Sequence, residues 1–316
     1  MRKRLIAIVG PTGIGKSALA LPLARRWEGE IVNADSRQVY RHMDIGTAKP
    51  SPAERSLVPH HLYDIVDPDG EFNLALYQSL ASSTIEAIHN RGRLPFLVGG
   101  SGQYVWAVLE GWAIPEVPPD RALREELESR ARSEGTERLY RELRELDPRA
   151  AARIDPRNAR RIVRALEVCL LSGRPFSELQ ARSSPPFDAL IIGLTMERQA
   201  LYRRIDERVD RMIAEGFIAE VKGLLERGYA LDLPAMSSLG YREIGTYLLG
   251  KMSLADAVQR IKFETHRFAR YQSTWFRPKD PRIHWLRVEE GVERAAEELI
   301  GRWVHSDPLT GIPSER

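Results

Sequence analysis

The chain has 316 residues, of which 43% are hydrophobic and 29% charged, with a mean hydropathy of -0.36. This balance excludes fibrous, disordered and membrane-spanning classes and is enough for a sizeable core of one large domain or a core with an added lobe. The 47 basic side chains exceed the 44 acidic ones only slightly, and the single cysteine, Cys169, excludes an internal disulfide and a thiolate zinc site, as expected of a cytoplasmic protein.

The basic start leads into Leu5–Val9, too short for a signal sequence and followed by Gly10-Pro11, so it reads as a first buried strand. Lys16–Trp27 reads as a helix and Ile31–Asn33 as a short strand. Phe72–Asn90 reads as a helix with Leu76, Leu80 and Ile88 on its apolar side, and Pro95–Val98 as a strand ended by Gly99-Gly100. This alternation predicts an α/β fold, a parallel sheet flanked by helices, in residues 1–112. After Pro115, Pro118 and Pro119 the pattern changes to charged amphipathic helices from Arg121 to Gly173, predicting an all-helical insertion lobe over 113–186. Within it, Asn158–Leu171 carries an apolar stripe of Ile162, Leu166 and Leu170. Ala189–Leu194 then reads as a fourth strand leading into the helix Arg198–Glu215, so that 187–316 return to the core. Helices follow to about Arg277, then a strand at Arg282–Leu286, a helix at Val292–Val304, and a frayed tail beyond Asp307.

Gly10-Pro11-Thr12-Gly13-Ile14-Gly15-Lys16-Ser17 is a phosphate loop, placed as that motif requires between a strand and a helix. Its backbone amides and helix N-terminus suit phosphate oxygens, Lys16 adds a point charge, and the Ser17 hydroxyl can hold Mg²⁺. The motif alone fits a small-molecule kinase or NTPase. The strand ending in Gly99-Gly100 offers no metal-binding aspartate, which weakens a hydrolase, whereas Arg204 and Arg208, one turn apart, can close over phosphates. Asp35 follows the second strand at the sheet's C-terminal edge, as either a base or a turn-capping carboxylate. His60 and His61 are adjacent, so they cannot both face one ion, and no third ligand is spaced for a metal. Arg141–Arg164 holds eight arginines against four carboxylates and Lys251–Asp280 seven cations against three, either solvated faces or a footprint for a nucleic-acid backbone. Trp106, Tyr271, Trp275 and Phe276 read as core rather than as stacking platforms.

Over nearly its whole length the chain resembles the tRNA dimethylallyltransferases, also called tRNA isopentenyltransferases. The stretches that carry the resemblance are GPTGIGKS from Gly10, DSRQVYRHMDIGTAKP from Asp35, PHHLYDIVDP from Pro59 and PFLVGGSGQYVWAVLEG from Pro95. They continue with DPRNARRIVRALEV from Asp155, RRIDERVDRMIAEGF from Arg203, LGYRE from Leu239 and QSTWFR from Gln272. Departures are His42 for the family's usual Gly, Ser101 for Thr, Gln103 for Leu, and Tyr271 where an Arg commonly precedes the Gln. Tyr271 removes a cation from an expected RNA face but can offer stacking instead.

The resemblance implies a core like that of the phosphate-loop NTPases and a cytoplasmic, monomeric enzyme without a membrane anchor. Its reaction would be transfer of the dimethylallyl group from dimethylallyl diphosphate to N6 of adenosine 37, beside the anticodon of tRNA. The phosphate loop would then bind the diphosphate leaving group with Mg²⁺ on Ser17. Lys16 and Arg208 would take up its charge, Asp35 would act as base, and Thr12 and Ser101 would be polar neighbours of the reacting groups. The base must be flipped out of the anticodon loop to reach them. For tRNA the resemblance implies Asp35, Ser36, Arg37, Gln38 and Ser101, then Arg124, Arg160, Arg161, Ile162, Val163 and Arg164 in the insertion, and Gly240, Tyr241 and Arg242. The alternatives are an enzyme that prenylates free adenosine nucleotides, which needs no arginine-rich lobe, the kinase suggested by the loop alone, and a non-enzymatic RNA-binding protein, which would leave Lys16 and Asp35 idle.

Overall fold

The computed structural model describes residues 3–115, 117–118, 120–179 and 185–305; the tail expected beyond Asp307 lies outside them. By compactness the chain divides into two units, one made of Met1–Leu109 with Pro186–Arg316 and the other of Glu110–Pro185.

The first unit is built on a six-stranded, wholly parallel sheet. Its strands are β1 (Lys3–Val9), β2 (Gly29–Asn33), β3 (His60–His61), β4 (Leu94–Gly99), β5 (Phe187–Thr195) and β6 (Ile283–Arg287), in the order β3-β2-β4-β1-β5-β6. Leu5 to Val9 are fully buried in the central strand, since a parallel sheet covered by helices on both faces leaves no place for alternating polar residues. The registers Val9 to Gly99, Val9 to Gly193 and Asn33 to Val98 bring the C-terminal ends of β1, β2, β4 and β5 level. The loops that leave them therefore converge on one edge, where parallel α/β sheets bind ligands.

Helices α1 (Lys16–Arg26), α2 (Pro52–Leu57) and α3 (Leu74–Asn90) connect the first four strands, and α4 (Gly102–Glu110) follows β4. The sequence reading omits α2 and the two-residue β3. Ser51, Pro52 and Glu54 nevertheless form a capping box with proline in the first turn, a start signal strong enough for a helix too short to show periodicity. In α3 the buried side is Tyr77, Ala81, Ile85 and Ile88, whereas Leu76 is exposed. The expected apolar face is thus displaced by one residue.

The second unit is helical, with α5 (Arg121–Ser133), α6 (Thr136–Leu146), α7 (Pro148–Ala151), α8 (Ala159–Ser172) and α9 (Phe176–Leu179). Its core joins Leu127, Leu139 and Leu143 to Ile162, Val163, Leu166 and Cys169. Leu170, read as part of the α8 stripe, is exposed. At the centre Glu167 is fully buried and accepts hydrogen bonds from the Asp120 amide at 3.1 Å, Arg124 at 2.7 Å and Arg164 at 2.6 Å.

After β5 the first unit continues with α10 (Arg198–Ala214), α11 (Phe217–Glu226), α12 (Tyr241–Leu248) and α13 (Leu254–Gln272), then β6 and α14 (Val292–His305). β6 begins one residue later than the expected Arg282. Glu220 on α11 accepts the amides of Asp44, Ile45 and Gly46 at 2.7–3.2 Å and the Tyr241 hydroxyl at 2.6 Å, pinning the loop after β2. Among the described residues no helix is long and apolar enough to cross a membrane.

Candidate active site

The phosphate loop turns from β1 into α1 through Gly13 and Gly15, at φ +80 and +102, a region that side-chain-bearing residues enter only under strain. α10 lies against it. A Cβ on Gly13 would fall 2.8 Å from the Ile205 side chain, and one on Gly15 would fall 3.3 Å from the Arg204 guanidinium. The Ile14 side chain is buried in the core, so among the loop residues it can offer a ligand only its backbone.

Lys16 Nζ donates to the carbonyls of Gly10 and Pro11, each at 3.0 Å. Burial pushes its ammonium down to about 8, opposed by Asp35 and reinforced by Arg208. Arg208 is lowered in turn by burial, again opposed by Asp35. Lys16 and Arg208 thus both feel the Asp35 charge, without an ion pair to it among the described residues. Arg208 also lines a cavity of about 1030 Å³ bordered by Arg41, His42, Lys49, Arg55 and Arg211.

Asp35 is set in place by Asn33. The Asn33 side chain accepts the Asp35 amide at 2.9 Å and donates to the Asp35 and Leu62 carbonyls, each at 3.0 Å. Asp35 Oδ1 accepts the Arg37 amide at 2.9 Å, so it does form the turn that its residue type favours. Among the described residues its second oxygen takes no hydrogen bond, so the turn occupies only one side of the carboxylate. Ser101 Oγ accepts the Ser36 amide at 2.9 Å and donates to Ser36 Oγ at 3.2 Å, tying the end of β4 to the Asp35 loop. Tyr104 stacks on Tyr77 with ring centroids 3.7 Å apart, and the Tyr77 hydroxyl donates to the Asn33 carbonyl at 2.8 Å. Burial, with Asp35 adding to it, pushes the Tyr63, Tyr77 and Tyr104 phenols upward, so they stay neutral.

Gln38 and Arg37 are more committed than the sequence suggests. Gln38 Nε2 donates to the Thr47 and Ala48 carbonyls at 2.9 and 3.0 Å, which commits its amide nitrogen to the loop after β2. The Arg37 guanidinium holds the Pro234 carbonyl at 2.9 Å and reaches Ser237 Oγ at 3.4 Å. His42, where the family usually has Gly, adopts φ +65.

For the metal, Ser17 is exposed at the start of α1, its hydroxyl has no hydrogen-bond partner among the described residues, and no cluster of three His, Cys, Asp or Glu exists among them. That donor set fits a hydrated Mg²⁺ carried on a diphosphate rather than an ion caged by carboxylates. His61 points to Glu30 at 2.6 Å while His60 donates to the Val58 carbonyl at 2.7 Å, so the pair diverges.

The expected tRNA contacts separate into two groups. Arg160 and Arg161 on α8 and Arg242 on α12 are exposed, with no carboxylate partner among the described residues. Ile162 and Val163, by contrast, are core residues at 0% and 3% exposure, and Tyr241 is fully buried against Glu220. Their side chains are closed to RNA because they hold α8 and α12 in place. Arg124 and Arg164 are spent largely on Glu167, and Gly240 donates its amide to Glu243 at 3.0 Å as the cap of α12. Trp106 and Phe276 are core as read from the sequence, but Tyr271 is 56% exposed. The sequence reading also passes over Gln272, whose side chain reaches the phosphate loop, although it opens the QSTWFR stretch.

The chain matches the family described as IPP transferase over residues 38–279 and the one described as isopentenyl transferase over residues 3–62. It is 58% identical to a tRNA dimethylallyltransferase of Roseiflexus castenholzii, over 86% of this chain and 89% of that one. It is 52% identical to one of Dehalococcoides mccartyi over 94% and 91%. The structure of a tRNA isopentenylpyrophosphate transferase from Bacillus halodurans is similar at TM-score 0.71 and 43% identity, covering 95% of this chain and 96% of that one. A eukaryotic dimethylallyltransferase acting on tRNA is similar at TM-score 0.82 and 27% identity, covering 98% and 81%. A phosphate loop facing an aspartate across the edge of a parallel sheet is accompanied by similarity along almost the entire chain, and the protein belongs to the IPP transferase family of tRNA dimethylallyltransferases.

Proposed function

We propose that this protein transfers the dimethylallyl group of dimethylallyl diphosphate to N6 of adenosine 37 of tRNA, in the cytoplasm and as a monomer. The observation that carries the reading is a phosphate loop with Lys16 at the end of β1 and, at the same sheet edge after β2, the turn that holds the Asp35 carboxylate, whose charge reaches both Lys16 and Arg208. In the reaction the allylic C1–O bond breaks and a C1–N6 bond forms. The electron pair of the broken bond leaves on the diphosphate, and the N6 proton passes to the Asp35 carboxylate. The loop amides other than that of Thr12, together with Lys16 and Arg208, stabilise the charge that grows on the leaving oxygen. The Ser17 hydroxyl would hold a Mg²⁺ ion, which would supply further charge neutralisation to the leaving group. Thr12 lines the donor side and Ser101 the acceptor side. Gln38 offers its side-chain carbonyl oxygen to the flipped base, and Arg160, Arg161 and Arg242 supply phosphate contacts to the tRNA.

The test is incubation of the protein with labelled dimethylallyl diphosphate, Mg²⁺ and unmodified tRNA, with AMP as a parallel acceptor and ATP as a parallel donor. Label in tRNA alone, mapped to adenosine 37 by digestion, is the expected result. Label in AMP, or phosphate released from ATP without prenyl transfer, overturns the reading in favour of a nucleotide prenyltransferase or a kinase.

A further inference from the structure

Gln272 closes α13, at 2% exposure. Its Oε1 accepts the Thr12 amide at 2.7 Å, and its Nε2 donates to the Gly100 carbonyl at 2.9 Å. One partner is a donor and the other an acceptor, so the pair fixes the orientation of the amide and is matched by a carboxamide of this length. Thr12 belongs to the phosphate loop. Gly100 directly precedes Ser101, which bonds Ser36 beside Asp35. One planar side chain therefore spans the donor and acceptor halves of the site.

The fit around this amide is tight. A Cβ on Gly100 would meet Gln272 Nε2 at 2.3 Å, the Gly10 carbonyl at 3.2 Å and Lys16 Nζ at 3.3 Å. The amide occupies the space that a side chain at position 100 would need. The chain just beyond Gln272 is anchored too. The Trp275 ring lies where a Cβ on Gly102 would fall, at 2.2 Å, and Trp106 Nε1 donates to the Trp275 carbonyl at 3.1 Å. Amides of a phosphate loop normally turn toward the phosphate. That of Thr12 is committed to Gln272, which makes it a strut of the loop.

We propose that Gln272 is a positioning residue of the transfer reaction, fixing the distance between the diphosphate loop and the Ser101–Ser36–Asp35 acceptor wall. The proposal rests on the prenyl-transfer reading above. Its physical basis is that reaction between two bound substrates depends steeply on their separation, a displacement of about 1 Å costing on the order of 10²-fold in rate.

The experiment compares wild type, Gln272→Met and Gln272→Glu in steady-state transfer to tRNA, with calorimetric binding of pyrophosphate and Mg²⁺ to each full-length protein. Gln272→Met removes both hydrogen bonds at nearly constant length, and Gln272→Glu keeps the acceptor for Thr12 while losing the donor to Gly100. The expected result is a kcat lowered about 10- to 100-fold, with both KM values within about threefold of wild type and pyrophosphate still binding one per chain at unchanged affinity. A bystander in the fold would lower that stoichiometry or the melting temperature without this split. If Gln272→Met does not fold, the same split is expected of Gln272→Glu. An unchanged kcat, or a raised KM for dimethylallyl diphosphate with weakened pyrophosphate binding and kcat retained, overturns the proposal. Absence of transfer by the wild type removes the reaction itself, an outcome distinct from an unaltered variant.

Discussion

The two units use their cations in opposite ways. In the first, Lys16 rests on backbone carbonyls, and neither it nor Arg208 is ion-paired among the described residues, Asp35 acting on both only through its charge. In the second, Arg124 and Arg164 converge on the buried Glu167, while Arg130 and Arg138 pair with Glu142 and Glu134. The first arrangement keeps positive charge in surplus for an anion, and the second spends it on holding helices together. Arg160 and Arg161 are exposed, like Arg132, Arg141, Arg144, Arg149 and Arg153 of the same unit, and among the described residues none of these seven makes an ion pair, so they are where that lobe has charge left to offer.

The largest expected effect tests the core side of this contrast. Asp35→Ala should lower single-turnover prenyl transfer by about 10² to 10⁴ while tRNA binding in a filter assay is retained. Equal turnover would show that the carboxylate only shapes its turn. On the other side, Glu167→Ala leaves two guanidinium groups and one amide without their acceptor. It should cost the helical unit about 2 kcal/mol, seen as faster hydrogen exchange in α5 and α8, with pyrophosphate binding unaffected.

Smaller effects sharpen the comparison. Because burial holds Lys16 near 8 rather than 10.5, the empty site loses this charge as pH rises through 8. Affinity for dimethylallyl diphosphate should be flat between pH 7 and 8 and then fall by up to about tenfold per pH unit, a decline that Lys16→Met abolishes in calorimetry. The same depression means that burying the charged Lys16 costs stability below pH 8, and that this cost disappears as pH climbs toward 10.5. Arg160→Ala should reduce the slope of log affinity for tRNA against log salt by about one unit, whereas Arg124→Ala, already paired, should change it less. The smallest effect concerns His42, held at φ +65. His42→Gly should raise stability by up to about 1 kcal/mol in thermal denaturation.

Much of this was legible in the sequence for local reasons. The phosphate loop is a contiguous motif whose flanks declare strand and helix, Asp35 follows directly on a strand, and buried parallel strands show as unbroken apolar runs. What was not legible depends on partners far apart in the chain. Glu167 meets Arg124 across 43 residues and Gln272 meets Thr12 across 260, and no spacing rule links them. Helical period likewise gives a stripe without its phase when apolar side chains are adjacent. Leu76 beside Tyr77 and Leu170 beside Cys169 were equally good candidates until packing chose the second of the first pair and the first-numbered of the other. The same blindness put Ile162, Val163 and Tyr241 among RNA contacts, because a motif records which residues recur together and not which way they face.

The register of β1 also sets a schedule for the nascent chain. β1 lies between β4 and β5, so the strand begun at Lys3 gains its second neighbour only when residues 187–195 have been synthesised, after the whole helical unit is complete. Contacts local in sequence form quickly and distant pairings late. The helical lobe can therefore fold on the ribosome while the central strand of the sheet still has an open edge, which is the interval in which chaperones have most to protect.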